Sequence, residues 1–378
     1  MMRKLVILLI ILSIIALPGC WDFREIQNHF LIVGIAIDPH SGSEDLMVSA
    51  RIPVPSSNLQ EASTLMQEAK IVTRSGKTVL TALEKMGKEL KKKLYIGHLQ
   101  IVVINEQIAK THMKNIIDTL SRNPQIQRHV YLLITSGEAR NVISASSSLD
   151  TAPMTDLRNM FDVNVSNSFI PTTLDNFLLD VESHDADPAI PIITTNNNTI
   201  SVEGMALFNG FDMVGTINGE ETRFLSLLPY QKHTEEYYLV RGQYYNKNPQ
   251  DVFSIRIANK KSSIKVFLKE GRITAQVHIK LWGVIAEYPE RPTGTSDEEI
   301  YHFAGKQLEE LLEKNGNNLI KKTKKYNTDI LRIGKYVRAK YPTYWDQIDW
   351  REEYKKVDFD IHIEAVVHSA YTSKLTRQ

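Results

Sequence analysis

The sequence predicts a multidomain protein of mixed α+β and α/β class, and three observations predict it. Short apolar runs alternate with amphipathic stretches between residues 30 and 144. Period-two alternation of apolar and polar residues marks 253–281 and 357–367. Between those two regions lies one long apolar stripe at helical spacing, over 297–326. Helical and strand periods differ enough for the pattern to separate them. The expectation is three mixed domains: an N-terminal α/β domain over 20–145, a middle α+β domain over 146–230, and a C-terminal domain over 231–378. The last is an antiparallel sheet covered by a long helix.

In chain order, Phe30–Ile37 reads as a buried strand and Leu46–Ile52 as a second, ended by Pro53 and Pro55. Residues 56–75 are polar and give no clear element. Gly76-Lys77-Thr78 opens a helix to about Lys92, with Val79, Leu80, Leu83, Met86 and Leu90 at helical spacing and lysines in its last turn. Leu99–Ile104 is a strand, Asn105 caps a helix to about Ser121, His129–Thr135 is a strand, and Gly137–Ser144 is a short helix. Residues 145–170, rich in Ser, Asp, Asn and Thr, read as a connector. Thr172 or Thr173 starts a helix through Val181. Strands follow at Ile190–Ile193, Ile200–Phe208 and Met213–Ile217, with a helix over Glu220–Leu228.

In the last region, Glu270-Gly271 supplies a hairpin turn between two alternating segments. Ser296 or Asp297 caps the long helix, whose stripe runs from Ile300 to Ile320 and ends among lysines. Asp329–Lys340 is a further helix, stopped by Pro342. In the closing strand Val357, Phe359, Ile361, Ile363, Ala365 and Val367 share one face.

No constellation for catalysis emerges. Ser75–Thr78 is "SGKT", but a phosphate loop needs glycine where Ile71 stands. There is no G-x-S-x-G and no H-E-x-x-H, and the 11 histidines lack metal-ligand spacing. His362 falls on the polar face of a strand. No cofactor is implied. Trp345 and Trp350, in "YPTYWDQIDW", have two readings: internal packing, or a partner-binding surface, since tryptophan anchors interfaces.

The N-terminus carries the most specific signal. Arg3 and Lys4 precede Leu5–Leu17, which is apolar apart from Ser13. That run is shorter than the roughly 20 residues a spanning helix needs, and it has the length of a signal-peptide core. Leu17-Pro18-Gly19-Cys20 resembles the lipobox of bacterial lipoproteins. The resemblance implies that residues 1–19 are a lipoprotein signal peptide, cleaved before Cys20, and that Cys20 is lipidated. Cys20 is the sole cysteine, so the mature chain has no thiol for a disulfide or a metal. Acyl chains would hold the protein on the outer face of a membrane without spanning it. Without Arg3 and Lys4, the 45 Lys and Arg become 43 against 44 Asp and Glu. So balanced a chain argues against a nucleic-acid partner.

Three further stretches go together: "GCWDFREI" leading into "VGIAID"; "GKTVLTALEKM" with "YIGHLQIVVI" and "LSRNPQIQRHVYLLIT"; and "DILRIGKYVRAKYPTYWDQIDW" with the closing strand. In this order they resemble the Ger(x)C family of spore germination lipoproteins. The resemblance implies three α/β domains and lipidation of Cys20. It also implies a place as the C subunit of a nutrient germinant receptor on the outer face of the spore inner membrane, beside integral-membrane A and B subunits. The implied role is non-catalytic docking. The alternative is a solute-binding lipoprotein that captures the germinant itself, which calls for two similar lobes around a cleft. An exported hydrolase would need a clustered acid, base or nucleophile, and the sequence shows none.

Overall fold

The computed structural model describes residues 29–53, 69–145, 153–163, 168–196, 199–231, 236–241, 252–287 and 296–369. It is mixed α/β, with an eight-stranded sheet, a four-stranded sheet and a small parallel pair, β1 (His29–Leu31) with β5 (Lys93–Tyr95). The predicted first strand is thus divided. Its second half, β2 (Gly34–Pro39), enters the large sheet with β3 (Leu46–Pro53), β4 (Ala69–Gly76), β6 (Ile101–Asn105), β7 (Tyr131–Thr135), β8 (Ala189–Asn196), β9 (Thr199–Asn209) and β10 (Asp212–Asn218).

The strand order is β10-β9-β8-β7-β6-β2-β3-β4. The central strands β2, β6, β7 and β8 are parallel, and the flanking pairs are antiparallel. Buried parallel strands are apolar on both faces. Hence Ile35 and Ile37 join one core while Ala36 joins the other. The first core is covered by α1 (Val79–Leu90) and α2 (Glu106–Arg122), through Met86, Met113 and Ile117. The second is covered by α3 (Ala139–Ser144) and α4 (Pro153–Val163), through Val142, Leu157 and Phe161. The caps follow the sequence. Thr78 accepts from the Thr81 N–H, and Asn105 Oδ1 accepts from the Gln107 N–H at 2.8 Å. β4 lies largely in the polar stretch 56–75, which carries no clear pattern, and α4 lies in the expected connector over 145–170.

The sheet also crosses the division expected near residue 146. β8 pairs in parallel with β7 through Ile134–Ile192 and Thr135–Ile193. Residues of the expected middle unit, with α5 (Leu174–Ser183) and α6 (Gly219–Ser226), therefore share a hydrogen-bonded framework with the N-terminal strands.

The second sheet has the order β11-β12-β13-β14, comprising Glu236–Arg241, Val252–Lys269, Arg272–Glu287 and Asp358–Ser369. Glu270 (φ 50°) and Gly271 (φ 75°) form the turn of its long hairpin, and positive φ at both central residues suits the strands' twist. The expected all-antiparallel sheet is corrected to a mixed one, because β14 runs parallel to β13. Between them lie α7 (Asp297–Tyr326), α8 (Ile333–Lys340), α9 (Pro342–Trp345) and α10 (Trp350–Tyr354). A crossover of that size returns the chain to the end where β13 began, and parallel pairing needs such a connection. Residue alternation reveals a dry face but not strand direction.

α7 covers this sheet with Ile300, Ala304, Leu308, Leu312 and Leu319. It starts at Ser296, in a reciprocal cap with Glu299. At Gly305 the helix meets β14 so closely that a Cβ would stand 2.8 Å from the Ala365 carbonyl oxygen.

Candidate functional site

A dense buried polar arrangement lies where the α7–α8 connection meets the large sheet. Asp329 sits at its centre, 1% exposed. The sequence places a helix start there, but the helix begins at Ile333 with Arg332 in the cap position, and Asp329 reaches its first two N–H groups from three residues before the cap. Its Oδ1 accepts from the Ile333 N–H at 3.0 Å, and its Oδ2 from the Gly334 N–H at 2.7 Å. Oδ2 also accepts from Trp350 Nε1–H at 3.1 Å.

A second carboxylate, Asp187, lies just before β8. It accepts from the Asp329 N–H at 2.8 Å through Oδ2, and from the Gly210 N–H at 3.0 Å through Oδ1. The Asp187 N–H donates to the Asp329 carbonyl at 3.1 Å. Around this pair, Thr328 Oγ1–H donates to the Phe208 carbonyl and Asn209 Nδ2–H to the Asn327 carbonyl. Arg332 holds Asp180 at 2.6 Å, and Arg338 holds Asp185 at 3.1 Å. A small cavity of about 220 Å3 adjoins the cluster, lined in part by Asp180, Asp187, Tyr230 and Arg332.

Burial controls the electrostatics. It pushes the Asp329 carboxyl up to about 7, against the N–H bonds from Gly334 and Ile333, while the neighbouring Asp187 adds to the rise. Asp187 and Asp180 are likewise raised, each chiefly by burial. Both oxygens of Asp329 and of Asp187 already accept from the chain's own donors. The cluster is built to fasten the α7–α8 connection to the β8 and β9–β10 ends of the large sheet, rather than to present an acid or base to a substrate. Among the described residues, no three His, Cys, Asp or Glu side chains gather as a metal ion would require.

Trp350 is buried at 6% exposure, its indole engaged by Asp329 and its ring 5.9 Å from Tyr354. It is therefore not available as a surface anchor. Trp345, half-buried, packs on Trp350 with ring centroids 5.3 Å apart. The two meet because they sit on separate short helices joined by a tight turn, not on one helical face. Cys20 lies outside the described residues. Sequence reasoning missed Asp187 altogether, since one acidic residue in a polar loop carries no signal until β8 and the α7–α8 connection converge.

Comparison with known proteins reaches both halves of this arrangement. Residues 22–195 match the spore germination protein N-terminal domain, and residues 203–370 the spore germination B3/GerAC-like C-terminal domain. Spore germination protein GerQC of Bacillus cereus is 26% identical over 79% of this chain and 82% of its own. Spore germination protein KC of Bacillus subtilis is 23% identical over 97% and 96%. The crystal structure of the GerBC protein superposes with a TM-score of 0.58 at 16% identity, over 88% of this chain and 96% of that one, so the fold is shared. Two consecutive family models that together take in the sheet, the α7–α8 connection and the closing strand establish that the chain belongs to the Ger(x)C family of spore germination proteins.

Proposed function

We propose that this chain is the lipid-tethered, non-catalytic C subunit of a nutrient germinant receptor, docking with integral-membrane A and B subunits on the outer face of the spore inner membrane. The observation that carries the reading is one of position. The family match opens at residue 22, two residues after Cys20, and everything before it has the character of a lipoprotein signal. Among the described residues no helix is long and apolar enough to cross a membrane. An acyl anchor supplies membrane attachment by another route, each buried methylene contributing about 0.8 kcal/mol. Confinement to the membrane surface raises the concentration of this chain against its partners without new contacts. The non-catalytic reading is supported by the Asp187–Asp329 cluster, whose carboxylates are engaged internally.

The test is a Cys20→Ala substitution in spores. The expected outcome is loss of the chain from the inner-membrane fraction and impaired nutrient germination. A variant that stays membrane-bound and germinates normally would overturn the tether. Mass spectrometry of the native chain should find Cys20 as the acylated N-terminal residue.

A further inference from the structure

The small parallel pair of β1 with β5 begins at His29, nine residues after Cys20. Nine residues of chain span at most about 30 Å. An acyl anchor at Cys20 therefore keeps this corner of the molecule close to the bilayer, whatever the rest of the body does.

The same corner carries a run of lysines. Lys88, Lys91, Lys92 and Lys93 are all exposed. Lys88 lies in the last turn of α1, Lys91 is its left-handed C-cap (φ 51°), and Lys93 opens β5 in register with His29. Lys92 Nζ stands 4.9 Å from the centre of the Phe30 ring in β1. Lys88, Lys91 and Lys93 make no ion pair with any described residue. Of the two acids of α1, Glu89 is engaged by Arg74, and Glu84 pairs with none of these lysines. A helix C-terminus favours cations within its last turn, which accounts for Lys88. Lys92 and Lys93 follow the cap and lie off the helix, so the run exceeds what the helix dipole explains. In a chain so nearly neutral, four cations in six positions concentrate a positive field at one place.

From this we infer that the β1–β5 corner rests on the bilayer, with Lys88, Lys91, Lys92 and Lys93 against anionic phospholipid headgroups. Basic groups beside an anionic leaflet gain from its surface potential within about a Debye length. The acyl anchor supplies attachment and the lysines supply orientation. A body held at one acylated point can swivel, whereas a second contact beside that point limits which surfaces meet neighbouring subunits. The inference rests on the tethered reading and adds to it the face that meets the membrane.

The test uses the mature chain from residue 20, left unacylated by Cys20→Ser, and sedimented vesicles. The vesicles are phosphatidylcholine alone, or phosphatidylcholine and phosphatidylglycerol in equal parts. Binding should require phosphatidylglycerol and vanish in about 1 M salt, where the Debye length is about 3 Å. Lys88→Gln, Lys91→Gln and Lys93→Gln together should weaken it about a hundredfold, at about fivefold for each charge removed. Lys92 is kept because it packs on Phe30. The same three positions changed to Arg should bind like the unaltered chain. Lys261→Gln, Lys265→Gln and Lys269→Gln remove as much charge from exposed positions of β12, and should change binding by less than about twofold. All six lysines are exposed, so melting temperatures should match throughout; the lipid and salt dependence of the unaltered sequence tests the proposal without any lysine variant. Binding indifferent to phosphatidylglycerol, or to the Gln variant of the corner, or lowered equally by the β12 variant, would overturn the membrane-facing corner and leave the tether standing. So would a Gln variant of the corner that binds vesicles normally but no longer recovers an integral-membrane subunit from spore membranes, which would assign the lysines to a protein partner. A native chain found by mass spectrometry to lack an acyl group on Cys20 would overturn the tether, and with it the placing of this corner at the bilayer.

Discussion

A carboxyl group as deeply buried as that of Asp329 is held in place by its donors and penalised by its charge. Trp350→Phe removes one donor and should destabilise the chain by about 1–2 kcal/mol in urea unfolding. The pH dependence follows from the raised value near 7. The folded state retains a proton that an unfolded aspartate, titrating near 3.9, has released. Stability from this group is therefore greatest below about pH 4, falls as the pH rises, and levels off above about pH 7. Asp329→Asn removes the titration but sets an amide N–H2 against N–H donors. It should destabilise by about 2–3 kcal/mol at pH 5 and by less at pH 8. Urea midpoints of the two proteins at both pH values measure this. A gap that widens with pH would contradict the assignment.

Among the elements, α7 does the most to shape the second sheet, and its start and its flank can be probed separately. Ser296→Ala removes the cap from the Glu299 N–H and should cost about 1 kcal/mol. Gly305→Val places a branched side chain against the Ala365 carbonyl and must lift the helix from β14, at about 2–3 kcal/mol. Thermal melts followed by far-UV circular dichroism should rank the two variants in that order. The short helices α9 and α10 act differently. They fold back so that Trp345 packs at a tilt against Trp350, and so deliver an indole N–H to Asp329 from 21 residues further along the chain.

Over the whole molecule, one apolar cluster runs from the large sheet into the second sheet. It includes Ala36, Val103 and Leu133 at one end, Phe224 and Leu225 between, and Ile255, Leu281 and Leu308 at the other. The Asp187–Asp329 junction reinforces the same contact. The two sheets are therefore expected to unfold together, with near-UV and far-UV transitions that coincide. Two separated transitions would show that the shared core contributes little. The two family models meet between residues 195 and 203, in the β8–β9 hairpin. A fragment over 29–195 would leave β8 without β9 and expose a long edge. It is expected to aggregate where the full-length chain does not, a difference light scattering would show.

Much of this architecture was legible in the residues themselves. Thr78 and Asn105 mark helix starts, and the sequence narrows two more to a pair of neighbours, Thr172 or Thr173 and Ser296 or Asp297, of which Thr173 and Ser296 are the caps, because a short polar side chain before an apolar stripe has few other uses. Glu270-Gly271 marked its hairpin, and the apolar runs of β2, β6 and β7 announced buried strands. β4 was hidden by its polar composition, and α4 by a stripe of only Met154, Leu157 and Phe161 in a polar background. The sequence by itself determined most of the local elements, β4 and α4 apart, and the family, since periodicity, caps and motif order are properties of neighbouring residues. Only the tertiary structure decided the parallel last strand, the continuous eight-stranded sheet, the burial of Trp350 and the pairing of Asp187 with Asp329. Each depends on which distant segments meet, and that is fixed by the packing of whole faces rather than by any local pattern.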